Sequence, residues 1–169
     1  MNKLRDTPIA QILNSEQQIL LRTDQKAYTL LSILGVFMVF FLVHYTRIPV
    51  NWAVLFLLVC YFISAYMTIF NLVKTVIPRL GFAPNPTFFE GIRRYKDADE
   101  YFEFIKEVND DYDQMLKLFS LQTHALAQIN HEKNKYLRRG IVFFISAITF
   151  ELSIIMITFL KLGIEFISR

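Results

Sequence analysis

Glu151 is the one charged residue inside three long apolar stretches of a 169-residue chain, and a carboxyl group in that setting has few uses. An ionised carboxylate facing lipid near the bilayer centre is expensive, so Glu151 must face protein or water, or carry a proton. It lies about ten residues into the stretch 141–160, roughly 15 Å deep at about 1.5 Å per residue. Ser32, Tyr61, Ser64 and Tyr66 on the other stretches, or Glu151 of another subunit, are its candidate partners. Two readings stand: a polar position that lines a pore or governs assembly, or a neutral acid bonded inside the bundle as packing glue.

The remaining candidates are weaker. Arg93, Arg94 and Lys96 can grip a phosphate through paired hydrogen bonds, although a solvated basic cluster is the plainer account. Asn71 and Lys74 close the second stretch, where Lys74 reads as a side chain reaching for the interface rather than a ligand contact. His124 and His131 stand two helical turns apart, too far for ligands that close one metal site, and no cysteine helps them. No nucleophile, base and orienting group fall together. No glycine-rich phosphate loop is present, and Gly81 and Gly91 stand alone. The sequence therefore predicts no enzyme, no metal and no cofactor.

The elements that position these residues follow from hydropathy. Residues 27–43, 53–73 and 141–160 are each long enough to cross most or all of a hydrocarbon core about 30 Å thick. The chain is 54% apolar and 15% aromatic, so a single bundle is expected, with no room for a separate soluble enzyme domain. Its net charge of +3 is not concentrated on one face, which argues against nucleic acid as a partner. Cys60, the only cysteine, lies within the second stretch and cannot form an internal disulfide. The first stretch exits through bulky Val43 and Tyr45, which suit a cleavage site poorly, so it is expected to be retained.

Thr7-Pro8 is a good helix start. Ile9, Ile12, Leu13, Glu16, Ile19 and Leu20 then keep helical spacing, on a stripe suited to the membrane surface or to packing on other helices. Residues 46–51 make a tight turn, so the first two spans form an antiparallel hairpin with Trp52 at interfacial depth. Pro78, Gly81, Pro84 and Pro86 break the helix into an irregular linker. Asp97 with Glu100 resembles a capping pair, and Asn109-Asp110-Asp111 marks a break or a solvated bend. Tyr112, Met115, Phe119, Gln122, Leu126 and Ile129 then repeat at helical steps toward the third span, with Gly140 the one weak point. Lys74, Arg79, Lys133, Lys135, Arg138 and Arg139 share one side with Arg22 and Lys26, whereas the turn between the first two spans has Arg47 alone. The positive-inside tendency puts the N-terminus and the middle segment in the cytosol.

Arg22-Thr23-Asp24-Gln25-Lys26-Ala27, followed by a span containing serine and glycine, begins a set of features with a family resemblance. Pro78-Arg79 after the second span continues it, as do Phe88-Phe89-Glu90-Gly91-Ile92 and Asn134-Lys135-Tyr136-Leu137 before the third. In this order the chain, over about residues 15–160, resembles the transmembrane effector family of bacterial Pycsar anti-phage systems. The resemblance implies that a partner cyclase makes cyclic CMP or cyclic UMP on infection and that the effector then impairs the host envelope. By the same resemblance Asp24, Lys26, Pro78, Arg79, Lys135 and Tyr136 cluster near the cytosolic leaflet, where a soluble signal can couple to helix packing. No stretch reads as a separate cyclic-nucleotide-binding domain, which leaves the manner of sensing open.

The expected architecture is an all-α integral membrane protein with three transmembrane helices and a long cytosolic helical extension between the second and third. Its parts are an amphipathic cytosolic or interfacial helix (1–26), a transmembrane hairpin (27–75), a cytosolic linker with helices (76–139), and the third transmembrane helix with a short tail (140–169). Ligand binding or signal coupling is expected at Asp24, Lys26, Arg79, Arg93, Arg94, Lys135 and Tyr136, with Glu151 as the intramembrane polar site. The expected function is an anti-phage effector of the inner membrane that oligomerises with copies of itself and perturbs the bilayer. A constitutive small channel or transporter subunit and a non-enzymatic membrane scaffold are the alternatives.

Overall fold

The computed structural model describes residues 8–44, 48, 51–77 and 89–167. They form α1 (Pro8–His44), α2 (Trp52–Val76), a single turn α3 (Phe89–Ile92), α4 (Ala98–Asp110) and α5 (Tyr112–Ile167), with no strand among them. α1, α2 and α5 each contain a stretch long and apolar enough to cross a membrane. In hydrocarbon the backbone has no water to bond, and a helix is the form that satisfies its own N–H and C=O groups within one segment.

Local chemistry sets the helix ends. Asn51 is extended at the start of α2, and its carbonyl accepts from Leu55 N at 2.9 Å. At the other end Ile77 turns extended, as expected of a residue placed before proline. The Asp97 carboxylate accepts from Glu100 N at 2.8 Å while Glu100 Oε2 accepts from Lys96 N at 2.7 Å, so the expected pair does cap α4. One residue, Asp111, separates α4 from α5. Its backbone is extended, and its carboxylate accepts from Asp113 N and Gln114 N at 3.0 and 3.2 Å. The Asn109–Asp111 run is therefore a true break rather than a bend. The predicted cap at Thr7, the turn at 46–51 apart from Ile48 and Asn51, and the Pro78–Pro86 linker fall outside the described residues.

The chain divides into two units. In the first, residues 8–22 of α1 join residues 89–132. Leu13, Val108, Ala125 and Leu126 are buried there, and Asn130 Nδ2 donates to Glu16 O at 2.9 Å and to Glu16 Oε2 at 2.7 Å. Part of the amphipathic N-terminal stripe packs on other helices of this unit. The stripe is split: Leu13 is buried, whereas Ile12 and Ile19 face outward.

The second unit, residues 23–77 and 133–167, holds the spans. Leu34 and Phe41 of α1, Val54, Tyr61 and Ala65 of α2, and Phe144, Ala147 and Ile154 of α5 make one core cluster. Ala27, Leu72 and Leu137 make a second. Gly140 is no weak point in α5, which runs through it without interruption. A β-carbon there would stand 2.8 Å from Leu72 Cδ2 and 3.1 Å from Leu72 Cγ, so glycine permits α2 and α5 to approach closely. Gly35 has no such neighbour: Ser32, one turn before it, is exposed, and nothing among the described residues lies within 4 Å of a β-carbon at Gly35.

These two glycines should respond differently to the same change. Gly140→Ala is expected to cost about 1–3 kcal/mol through overpacking against Leu72. Gly35→Ala should leave stability unchanged or slightly raised, since alanine is the better helix former. Thermal melting of the two variants in one detergent checks the contrast.

Candidate functional site

In the membrane bundle Glu151 is fully buried by its own chain, at 0% exposure, and Tyr61 beside it is at 1%. The two groups interact electrostatically. Neither Glu151 carboxylate oxygen nor the Tyr61 hydroxyl makes a hydrogen bond of good geometry to any described residue. Leaving a buried polar group unpaired costs about 1–3 kcal/mol. Of the partners suggested by the sequence, Tyr61 is the one in place. Ser64 is buried nearby on α2, whereas Ser32 and Tyr66 face outward.

Sequence reasoning missed how far this polarity extends. Tyr61, Ser64, Thr68, Asn71 and Thr75 are all buried, and their spacing of three and four residues puts them on one face of α2. Thr68 Oγ1 donates to Ser64 O at 2.8 Å, Asn71 Nδ2 to Met67 O at 2.7 Å, and Thr75 Oγ1 to Asn71 O at 3.0 Å. A polar seam thus runs from the level of Glu151 to the Lys74 end of the span. The periodicity was available in the sequence as one polar residue per turn in an otherwise apolar helix. On the far side of Glu151 the lining changes character. Phe41, Val54 and Ile154 fill the core, and an apolar cavity of about 140 Å³ opens among Phe40, Phe41, Ile48, Ile154 and Phe159.

At the Lys74 end, Lys133 Nζ donates to both Asp24 carboxylate oxygens, at 2.6 and 2.9 Å, with side-chain exposures of 8% and 23%. Asp24 was predicted as a site residue and Lys133 only as a topogenic charge; together they bind α1 to α5. Lys74 Nζ stands 4.2 Å from the Phe70 ring centroid and 5.6 Å from that of Tyr136, a cation–π arrangement that draws a second candidate, Tyr136, toward α2. Lys26 and Lys135 have exposed side chains.

The other unit carries Arg93 and Arg94, both exposed. The neighbouring open groove, about 460 Å³, has Tyr95 and Phe104 as aromatic walls and Glu100, Glu103 and Glu107 at its rim. Burial, then the neighbouring Tyr101 and Glu100, push the Tyr95 hydroxyl above its ordinary pKa. The carboxylates of this groove disfavour an anionic ligand. His124 and His131 are exposed, and no group of three metal-ligating side chains occurs among the described residues. Arg79 lies outside the described residues.

Three apolar spans with charged groups gathered at one end of the bundle define an α-helical multi-pass membrane protein. The profile of the Pycsar effector protein domain, PycTM, matches residues 9–160. The chain belongs to this family and is a membrane-associated Pycsar effector, an antiviral-defence protein of the inner membrane that acts without catalysis. No curated protein and no solved structure matches it.

The Asp24–Lys133 pair gives a measurable consequence. Asp24→Asn or Lys133→Met alone should destabilise the bundle by about 1.5–3 kcal/mol, the range for hydrogen bonds to charged groups, because each strands the other partner. The double variant should recover part of that loss. A double-mutant cycle on detergent-solubilised protein measures the coupling.

Proposed function

We propose that this chain is a signal-gated effector whose N-terminus and residues 76–139 lie in the cytosol. Cyclic CMP or cyclic UMP, acting at the cytosolic layer, shifts the packing of the spans, and assembled copies of the chain then permeabilise the inner membrane. The observation that carries this reading is the family match over residues 9–160, which takes in all three spans and the helices between the second and third. The basic flanks support the orientation, with Arg22, Lys26, Lys74, Arg79, Lys133, Lys135, Arg138 and Arg139 on one side and Arg47, Lys161 and Arg169 opposite.

Continuity of the helices supports the coupling. α1 and α5 each supply residues to both units without a break, so a displacement at one end of either helix is carried into the span. In this reading Asp24, held by Lys133, and Tyr136, beside Lys74, act as signal-coupling residues. Arg93 and Arg94 are the phosphate contacts, and Lys26, Arg79 and Lys135 add positive charge near the leaflet.

Purified protein in liposomes loaded with a self-quenched dye should release the dye on addition of cyclic CMP or cyclic UMP and hold it otherwise. Replacing both arginines, R93A with R94A, should raise the nucleotide concentration for half-release by tenfold or more while leaving assembly intact. Dye retained with both nucleotides would sink the reading, and release without any nucleotide would favour the constitutive channel.

A further inference from the structure

The permeabilising species named above leaves open what crosses the membrane and along which surface. Two independent features converge on the same part of the bundle. The first is Glu151, fully buried near the middle of the span beside the Tyr61 hydroxyl, with which it interacts although neither group makes a hydrogen bond of good geometry. The second is the seam of Ser64, Thr68, Asn71 and Thr75, which extends the polarity of Tyr61 along one buried face of α2. From Tyr61 to Thr75 the seam covers about 21 Å at 1.5 Å per residue. It ends at the basic, Lys74-bearing end of the bundle.

We infer that this seam and Glu151 form the permeation pathway for small monovalent cations, with Glu151 as the cation-binding and selectivity site. This rests on the membrane-permeabilising reading given above. Intramembrane carboxyl groups and polar faces in spans characteristically mark ion pathways, because lipid gives them no other partner. The chemistry of the lining fits a cation. Hydroxyl and amide oxygens replace water around the ion along the seam, and the carboxylate with the Tyr61 oxygen offers acceptors at its inner end. An anion would meet the same oxygens as repulsive dipoles. Beyond Glu151 the lining is apolar, with Phe41, Val54 and Ile154 in the core and the cavity of about 140 Å³ beside Phe41 and Ile154, a stretch of the kind that gates by excluding water. Opening therefore means parting both halves, the apolar one and the polar one, where α2 and α5 meet closely at Leu72 and Gly140.

Seam hydroxyls that bond back to their own helix also serve as compact packing groups, so the test must separate conduction from folding. The full chain is placed in planar bilayers with a tenfold KCl gradient and exposed to cyclic UMP or cyclic CMP. The wild type should conduct, with its reversal potential close to that of K⁺ and far from that of Cl⁻. Glu151→Gln keeps the shape and removes the charge; it should still open with nucleotide but lose cation selectivity by tenfold or more. Thr68→Val, nearly isosteric, should keep selectivity and lower single-channel conductance several-fold. A pH-sensitive dye in the parallel liposome assay distinguishes proton flux from K⁺ flux through the same site.

Unchanged selectivity in Glu151→Gln together with unchanged conductance in Thr68→Val would overturn the proposal while leaving permeabilisation standing. Absence of any conductance in the wild type with both nucleotides would overturn permeabilisation, and this pathway with it. Should Glu151→Gln fail to assemble, the Thr68→Val conductance decides the matter alone.

Discussion

Hydrocarbon offers no hydrogen-bond partner, and that single constraint accounts for most of what the bundle does with its polar groups. Backbone groups are satisfied by the helix. Thr29, Thr68, Thr75, Ser146, Thr149, Ser153 and Thr158 each turn the hydroxyl back to the carbonyl one turn earlier, at 2.8–3.0 Å. With that bond made, such a residue behaves as a small side chain that can sit against lipid or against another helix. Glu151 and Tyr61 stand outside the pattern. Their oxygens have no equivalent local bond available, and the fold encloses them instead.

Charge is handled differently. It is moved to one end of the spans, where a lysine can be paired or can lie on an aromatic face. Lys133 is nearly enclosed and is matched by a carboxylate with two bonds, whereas Lys74 uses the rings of Phe70 and Tyr136. These are two physical solutions to the same problem of holding an ammonium at the margin of an apolar layer. The bidentate pair is directional and fixes α1 against α5. Of the two ring contacts, that with Phe70 stays within α2 and that with Tyr136 reaches α5.

Much of this was legible in the residues. Hydropathic runs placed the three spans, and the Asp97–Glu100 spacing announced a helix start that the structure bears out. The isolation of Glu151 within an apolar run identified it as a position to explain. What the sequence withheld was pairing at a distance. Nothing in the chain's order links Asp24 to Lys133, or Glu16 to Asn130, because each contact depends on how helices lie against one another. Gly140 misled for a related reason: a glycine within a helix reads as a lapse in propensity until a neighbour such as Leu72 is seen to occupy the space. The stripe from Ile9 to Leu20 concealed its division into inward and outward members, since periodicity defines a face and says nothing of which edge of it will be covered. The α2 seam was the reverse case, fully written in the spacing but overlooked among apolar neighbours.

α5 passes from the Asn130 turn through Lys133, Leu137 and Gly140 into the span as one unbroken helix. Each residue of a helix advances the rotation by about 100°. An insertion or deletion of one position between Lys133 and Gly140 would therefore turn Glu151 by about 100° relative to the Asp24–Lys133 contact.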